Sequence, residues 1–274
     1  PDGASTELSE QHENYYENKC PRFQGRLESD IERFKLPCGG TLGILIEPFN
    51  NPSSDTANQF KLIEQALVQR TAIQRSVEWP AGKQTINATT AAPELQYQNN
   101  TQGQPQQLSH IYGPVIHLMI IGICEVSRYL AQFALATGYR VSVCDPRAEL
   151  QPQWQIDNTT IYSGMPDDII RQYACDANCA IVAVSHDPRL DDMGLMDAFN
   201  TPAFYLGAMG SQASSNKRRQ RLQNLGVTAL QLERLHAPIG VDIGSKTPAE
   251  IAISIIADII ASHPQAKPLN KQDT

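Results

Sequence analysis

The sequence contains several short segments whose residue types could do chemistry, and the first holds a cysteine. Pro37-Cys38-Gly39-Gly40 stands immediately before an apolar run that begins at Thr41. Glycines leave backbone amides accessible, and amides near a thiol lower its pKa and favour the thiolate, which is a nucleophile and a soft metal ligand. Cys38, Gly39 and Gly40 are therefore candidate cofactor-binding residues, with Cys38 as the candidate metal ligand. The alternative is that Cys38 is a small apolar residue.

A second segment, residues 122–127, occupies the place of a dinucleotide-binding turn. It reads Gly-Ile-Cys-Glu-Val-Ser, so only the first glycine of the G-x-G-x-x-G pattern is present. Cys124 adds a side chain where a pyrophosphate would approach, and Glu125 adds negative charge near a helix N-terminus. Gly122 therefore predicts a Rossmann-type turn without ordinary NAD binding. Asp145 ends the next predicted strand, where it would bind a ribose hydroxyl or, alternatively, cap the turn that follows.

A third segment, Gly207-Ala208-Met209-Gly210-Ser211, follows a predicted strand and precedes a basic helix. Gly207 and Gly210 would let backbone N–H groups converge, and Ser211 stands at the helix N-terminus, where the dipole favours an anion. This segment is a candidate phosphate-binding loop. The alternative is a tight turn followed by a solvated basic helix face.

Two further segments combine histidine with aspartate. His186 and Asp187 follow a predicted strand and could exchange protons or hydrogen bonds with a ligand, although Asp187 could instead cap a helix. His236 and Asp242 lie in the segment HAPIGVDIG, where two glycines and a proline surround them. Turns alone would need the glycines but not both polar residues, so the segment favours ligand binding.

These segments fall at the ends of elements that the hydrophobic pattern predicts. Beyond residue 113, apolar strands are expected at 115–121, 140–144, 160–162, 180–184 and 203–206, with helices between them. Short buried strands that alternate with helices indicate a parallel sheet covered on both faces. The expected fold class is α/β, with a Rossmann-like doubly wound parallel sheet whose ligand site lies beyond the carboxyl ends of its strands.

The last predicted helix has a strong start signal, the capping box Thr247-Pro248-Ala249-Glu250. Glu250, Ser254 and Asp258 recur every four residues among Ile and Ala. This pattern predicts a helix that is buried on most of its circumference.

The first part of the chain predicts a smaller mixed α/β domain. Strands are expected at 41–47, 73–79 and 84–88, with a helix over 58–70. The glutamine-rich segment 96–110 predicts either a solvated connection or a polar hairpin. We therefore divide the chain into a small N-terminal domain, 1–105, and a Rossmann-like C-terminal domain, 106–274.

Composition excludes some function classes. The 274 residues carry a formal net charge of −7, which argues against a general nucleic-acid binder. The sequence has neither an apolar run near the roughly 20 residues that a membrane span needs nor a secretory leader pattern. Six cysteines, with Cys144 in an apolar strand, indicate a reducing, cytoplasmic setting. Cys175 and Cys179 lack a second ligand pair and predict no zinc site.

Taken together, these motifs resemble the XdhC/CoxI family of xanthine dehydrogenase accessory proteins. The resemblance rests on Pro37-Cys38-Gly39-Gly40, Asp145-Pro146-Arg147, Ser185-His186-Asp187, Gly207-Ala208-Met209-Gly210-Ser211 and the run that begins at His236. It is densest from about residue 115 to 261. The chain departs from the family pattern at Cys124, where a second glycine is usual, and at Glu125, where a histidine is usual.

The resemblance implies a role in the maturation of molybdenum hydroxylases. Family members are thought to bind the molybdenum cofactor while a cysteine desulfurase supplies its terminal sulfur, and then to deliver it to a xanthine dehydrogenase-type apo-enzyme. The family cysteine corresponds to Cys38, and the family analogy suggests a homodimer. The resemblance thus favours a non-catalytic chaperone. Two alternatives are an NAD(P)-dependent oxidoreductase on the Rossmann half and a ligand-free pseudo-Rossmann interaction protein.

Overall fold

The structure, a computed structural model, describes residues 22–24, 41–43, 54–78, 82–89, 94–102, 105–174 and 176–264. The chain divides into two compact units, Pro1–Pro114 and Val115–Thr274. The strand Pro105–Tyr112 lies wholly in the first unit, whereas a boundary between residues 105 and 106 would assign most of it to the second. Within the described residues, no helix is long and apolar enough to cross a bilayer.

The first unit is built on a four-stranded antiparallel sheet. In chain order, its described elements are β1 (Arg22–Gln24), β2 (Thr41–Gly43), α1 (Ser54–Val68), β3 (Ala72–Glu78), β4 (Gln84–Thr89), β5 (Glu94–Asn99) and β6 (Pro105–Tyr112). The sheet order is β4-β3-β6-β5, and β1 pairs separately with β2. Ile63 and Ala66 of α1 pack against Ile73 of β3. The glutamine-rich segment forms the antiparallel pair β5–β6, so of its two predicted forms it adopts the hairpin.

The second unit is a six-stranded parallel sheet. Its strands are β7 (His117–Ile121), β8 (Arg140–Cys144), β9 (Thr159–Tyr162), β10 (Cys179–Ala183), β11 (Tyr205–Ala208) and β12 (Leu235–His236). The spatial order is β12-β11-β10-β7-β8-β9, and every neighbouring pair is parallel. Numbered within this unit, that order reads 3-2-1-4-5-6 from the β9 edge, which is the order of the dinucleotide-binding fold. The predicted Rossmann-like doubly wound sheet is therefore confirmed.

Helices cover both faces of the parallel sheet. They are α2 (Glu125–Ala136), α3 (Pro166–Tyr173), α4 (Pro188–Ala198), α5 (Gln212–Asn224), α6 (Ala229–Glu233) and α7 (Pro248–Ser262), with a 3-10 turn at Gln151–Gln153. Buried residues of α2 and α7, such as Leu130 and Ile255, pack with Leu118 and Val182. Residues of α3, α4 and α5, such as Ile170 and Leu195, form a separate core on the other face. The sheet is thus buried on both sides, as its continuous apolar strands require.

Strand β11 begins at Tyr205, two residues later than the predicted start at Ala203. The Arg234 guanidinium donates to the carbonyls of Thr201 and Ala203 at 3.0 and 2.9 Å. These carbonyls are therefore satisfied by a distant side chain and not by a strand ladder, which residue pattern alone does not reveal.

The orientation of α7 differs from the prediction. Its Thr247–Glu250 capping box and its Pro248 start are observed. However, Ile253 and Ile260 are about half exposed, at 47% and 45%, whereas Ser254 of the polar row is buried. Glu250 at the start of the row is exposed, whereas Asp258 is held by the side chains of Tyr205 and His236. Exposed residues such as Ile253, Ala257 and Ile260 lie on one stripe of the helix, so the prediction that α7 is buried on most of its circumference is confirmed, but the polar row does not mark the exposed face.

Candidate functional site

The carboxyl ends of β7 and β10 meet at the point where the strand order reverses, and their following turns touch. Gly122 has a φ of +103°, and a Cβ placed on it would lie 2.2 Å from the Ser185 Cα. Only glycine fits, because the backbone is left-handed and the neighbouring main chain leaves no room. In dinucleotide-binding folds a ligand enters this crevice. Here the two turns are packed directly against each other.

The turn after β7 satisfies its own amides. Cys124 is the N-cap of α2, and its Sγ accepts from Ser127 N at 3.5 Å and donates to Val184 O at 3.3 Å. Cys124 N donates to Ser127 Oγ at 2.8 Å, and Ile123 N donates to an Asp145 carboxylate oxygen at 2.8 Å. Amides that would hold a pyrophosphate are thus already bonded to protein atoms.

Asp145 is fully buried and is occupied by its own turn. Arg147 donates to its carboxylate from the backbone N, from Nε and from Nη2, at 3.0, 2.9 and 2.7 Å. With the bond from Ile123 N, the four lone-pair positions of the carboxylate are used. Burial alone would raise the pKa of Asp145, but these hydrogen bonds and the Arg147 charge outweigh it and hold the pKa below its usual value. Of the two predicted roles, the geometry is that of the turn cap.

The loop after β10 also contains a helix cap. Asp187 is the N-cap of α4 and accepts from Arg189 N at 2.9 Å. This is the capping alternative considered for Asp187. His186 is exposed and has a φ of +61°, and its imidazole makes no hydrogen bond within the described residues.

A buried ion cluster that the residue pattern does not reveal joins this loop to the next one. Asp191 Oδ1 accepts from the N and Oγ of Ser185, at 3.1 and 2.7 Å. Arg218 of α5 donates to Asp191 at 2.8 Å, to Asp192 at 2.9 Å and to Met209 O at 3.0 Å. The Arg218 side chain therefore links the turn after β10 to the turn after β11.

The formal charges of this cluster balance. Asp192 also accepts from Arg221 Nε at 2.7 Å, so two carboxylates face two guanidinium groups. Burial raises the pKa of Asp191, and the Asp192 charge adds to this, although Ser185 and Arg218 pull it down. The alternative interpretation of this segment was a solvated basic face for α5, but Arg218 is only 5% exposed. Its spacing from the other basic residues carries no signal of burial.

The loop after β11 remains open at its amides. Gly207 lies inside β11, and a Cβ there would meet Ile239 Cδ1 at 2.4 Å, so this glycine serves packing. Ser211 is the N-cap of α5, and its Oγ accepts from Ser214 N at 3.2 Å. The backbone N–H groups of residues 210–213 have no acceptor within the described residues. Gly210 and Ser211 thus contribute free donors at a helix N-terminus.

At the β12 edge, His236 is held by a buried pair. His236 Nδ1 lies 3.0 Å from Asp258 Oδ2, and the Tyr205 hydroxyl donates to the same oxygen at 2.6 Å. Burial, together with the Asp258 carboxylate, raises the pKa of Tyr205. A carboxylate bonded to one imidazole nitrogen fixes the ring, so the other nitrogen of His236, on a side chain 36% exposed, is oriented for a ligand or a proton.

The remaining candidates lie at the sheet edge, in an exposed turn or outside the described residues. His236 pairs in register with Gly207, so both lie at the carboxyl edge of the sheet. Asp242 is exposed and accepts from Gly244 N at 3.3 Å within its own turn. Cys38, Gly39 and Gly40 lie outside the described residues. In the described part of the chain, no cluster of three or more His, Cys, Asp or Glu side chains forms a metal site.

Comparison with known proteins places this sheet in a family. The model of the XdhC Rossmann domain matches residues 118–259, more than half of the chain. The chain belongs to the XdhC family. The matched region contains the turns at Gly122, Ser185 and Gly210, so the XdhC-family match covers the carboxyl edge described above.

Two curated relatives and one solved structure define the likeness further. The chain is 30% identical over 154 residues to the Escherichia coli (strain K12) protein YqeB, and this match covers 55% of the chain and 28% of YqeB. It is 26% identical over 148 residues to the molybdenum cofactor insertion chaperone PaoD of the same strain, and this match covers 54% of the chain and 40% of PaoD. The match therefore spans less than half of each relative.

The solved structure is described as a xanthine dehydrogenase from Bacillus halodurans. It superposes with a TM-score of 0.70 at 19% identity, over 98% of this chain and 83% of that one. At this identity the superposition establishes a shared fold.

Proposed function

We propose that this XdhC-family chain is a maturation factor that binds the molybdenum cofactor and delivers it to a xanthine dehydrogenase-type molybdoenzyme. Family membership and the likeness to PaoD, a molybdenum cofactor insertion chaperone, support the role. The main structural support for this role is a contrast between two turns. The dinucleotide-binding turn is closed by Cys124, Asp145 and Arg147, whereas the amides at the start of α5 are open. This arrangement suits a ligand with one terminal phosphate better than a dinucleotide.

The residues of the carboxyl edge fit a pterin cofactor that ends in phosphate. Free N–H groups at residues 210–213 supply donors to an anion, and the α5 dipole adds positive potential there. His236 presents one ring nitrogen at the same edge of the sheet, and Asp242 and Gly207 support the neighbouring loop. When bound, the cofactor brings its own metal. The chain's residues would bind and orient it and would exclude water.

Cys38 is proposed to face the metal or its terminal sulfur, with Gly39 and Gly40 leaving backbone room beside it. The reason is chemical: a thiolate is a soft, charged ligand, and its neighbouring amides favour that form. A cysteine desulfurase is the proposed source of the sulfur, and a cytoplasmic, homodimeric protein is the proposed setting.

The proposal is tested by cofactor content after expression in a molybdenum-replete host. We expect purified protein to carry molybdenum and pterin, and Cys38→Ser to lose most of both, because a hydroxyl is a hard, protonated donor at neutral pH. Cys124→Ser is the matched control. Serine is a good N-cap, so that variant should keep both its fold and its cofactor.

Thermal midpoints measured alongside separate binding from folding. An unchanged midpoint in Cys38→Ser with lost cofactor supports the assignment. Equal molybdenum and pterin in the wild type and in Cys38→Ser would return Cys38 to the role of a small turn residue. Wild-type protein without cofactor, when a client enzyme in the same cells is loaded, would contradict the proposed function itself.

The second candidate is an NAD(P)-dependent oxidoreductase, which the 3-2-1-4-5-6 strand order favours. Its ligand would need the amides of Ile123 and Cys124 and the Asp145 carboxylate, all of which have protein partners. Calorimetric titration with NAD(P)H and with molybdopterin decides between the two. A third candidate, a ligand-free interaction protein, would be favoured if neither ligand shifts the thermal midpoint.

A further inference from the structure

The N-terminus of α5 combines free donors with an unpartnered buried hydroxyl. The N–H groups of residues 210–213 have no acceptor among the described residues, and the 13-residue helix begins directly behind them. Such consecutive, convergent amides at a helix start are a common way to bind an oxyanion. Free amides alone are found at many helix ends and are satisfied by water. The neighbouring side chain is the feature that sets this helix start apart.

Ser215 supplies an observation that is independent of the helix dipole. Its side chain is completely buried, and its Oγ has no hydrogen-bond partner. Side chains of a helix lean toward its N-terminus, and a Cβ placed on Gly210 would lie 3.8 Å from this Oγ. The hydroxyl is therefore directed at the loop whose amides are free. Buried hydroxyls are nearly always hydrogen-bonded, so an unbonded one at this position indicates a missing acceptor.

The charges around this helix start also favour an anion. The first turns of α5 and of the short helix α6 contain no acidic residue, whereas α2, α3, α4 and α7 each carry an aspartate or glutamate there. Nearby, Arg218 donates to Met209 O and thereby fixes the loop that carries the amides. The fixed loop keeps its donors in place without a ligand, which lowers the ordering cost of binding.

We infer that the N-terminus of α5 is a binding site for a terminal phosphate monoester, with the N–H groups of residues 210–213 and the Ser215 hydroxyl as its donors. Each of these groups donates to an oxygen of the anion, and Ser215 gains the acceptor that it lacks. The inference deepens the proposed function, because the group it would hold there is the phosphate of the pterin cofactor. It does not depend on the metal, since the donors recognise the phosphate alone.

The test uses inorganic phosphate as the probe and the full chain as the protein. Amide resonances in a ¹H–¹⁵N spectrum of deuterated protein are followed during titration with phosphate, and with sulfate and chloride at matched ionic strength. We expect the amides of residues 210–213 to shift with saturation in phosphate. Ser215→Ala should weaken phosphate binding about tenfold or more, since a hydrogen bond to a charged group is lost. It should not lower the thermal midpoint, because the Oγ has no partner to lose.

An added negative charge gives a second variant. Gln212→Glu places a carboxylate at the first position of α5, where it repels the anion but interacts favourably with the helix dipole. We expect phosphate binding to be lost and the thermal midpoint to stay equal or rise. Gln223→Glu is the matched control, because it adds the same charge on an exposed side chain at the far end of the helix. It should leave phosphate binding unchanged.

The outcomes separate this inference from the proposed function. Unshifted amides at residues 210–213, equal shifts with all three salts, or unchanged affinity in Ser215→Ala and Gln212→Glu would each overturn the phosphate site. Protein that binds phosphate at these amides but never carries pterin or molybdenum would contradict the proposed function and leave the site standing.

Discussion

Replacing Arg218 by methionine should strongly destabilise the carboxyl edge of the sheet. Methionine keeps much of the aliphatic volume but removes three hydrogen bonds, to Asp191, Asp192 and Met209 O. Arg218 is the only partner that the described residues provide for Asp191 Oδ2. The variant therefore leaves a buried carboxylate without its counter-charge.

The loss of unfolding free energy in Arg218→Met depends on which carboxylate loses its partner. Asp192 keeps its bond to Arg221 at 2.7 Å, whereas Asp191 keeps only the bonds from Ser185 to its other oxygen. Removing one member of a buried ion pair costs about 3–5 kcal/mol of unfolding free energy. Arg221→Met is the matched control. Its side chain is 44% exposed and Asp192 would still have Arg218, so it should cost about 1 kcal/mol or less.

The cost should depend on pH. Burial already raises the pKa of Asp191, and loss of Arg218 removes a group that lowers it. In the variant, the folded state then binds more protons than the unfolded state at pH values above the usual aspartate pKa of about 3.9. The stability of the variant therefore falls as pH rises through that window. The difference from wild type should be larger at pH 8 than at pH 5.

Urea denaturation at both pH values measures the difference in unfolding free energy between wild type and Arg218→Met. The buried Trp154 reports on the second unit if Trp79, the other tryptophan, is first replaced by phenylalanine. A loss for Arg218→Met that is below about 1 kcal/mol, or equal to that for Arg221→Met, would refute the reasoning. So would a difference from wild type that shrinks as pH rises.

Three further outcomes are expected from this structure. Gly122→Ala should cost about 3 kcal/mol or more, because of its left-handed backbone and the 2.2 Å contact, whereas Gly138→Ala, also left-handed but with open space, should cost about 1–2 kcal/mol in chemical denaturation. Tyr205→Phe should cost about 1–2 kcal/mol of unfolding free energy, because the hydrogen bond to Asp258 is lost. The pKa of Tyr205 is raised, so in a pH titration followed by absorbance at 295 nm Tyr205 should remain protonated while exposed tyrosines ionise. The stability that the Tyr205 hydroxyl contributes should therefore be lost only as pH rises above about 10. Calorimetry should find no low-micromolar NAD affinity, and an affinity of that size abolished by Asp145→Ala would contradict the closed-turn interpretation.

The sequence by itself determined the class of the second unit. Apolar strands and helix signals carry that information locally, because burial on both faces requires continuous apolar residues and capping depends on neighbours a few positions apart. Strand 140–144 and the capping box at Thr247 were predictable for this reason. The same logic placed Gly122 at a turn, because a glycine that ends a buried strand has few other uses.

Only the tertiary structure decided which polar residues are already bonded. Asp145, Asp187 and Asp242 were candidate ligand contacts, with capping as the alternative for the first two. Their carboxylates accept from backbone N–H groups within their own turns. Conversely, Asp258 interrupts an apolar helix in the sequence and turns out to orient His236. Hydrogen-bond partners that are distant in the chain leave no periodic trace, so the hydrophobic pattern cannot show which face of α7 is buried.

Long-range packing also explains why the pattern did not reveal the buried groups at the start of α5. A serine-rich, basic helix start is compatible with a phosphate-binding loop and with a solvated surface, because exposed positions favour such residues. Folding brings Arg218 onto Asp191 and buries Ser215 without a partner, and both facts depend on how α5 packs against α4 and the sheet. Residue types therefore fixed where the turns are, and long-range packing decided which of their donors remain free for a ligand.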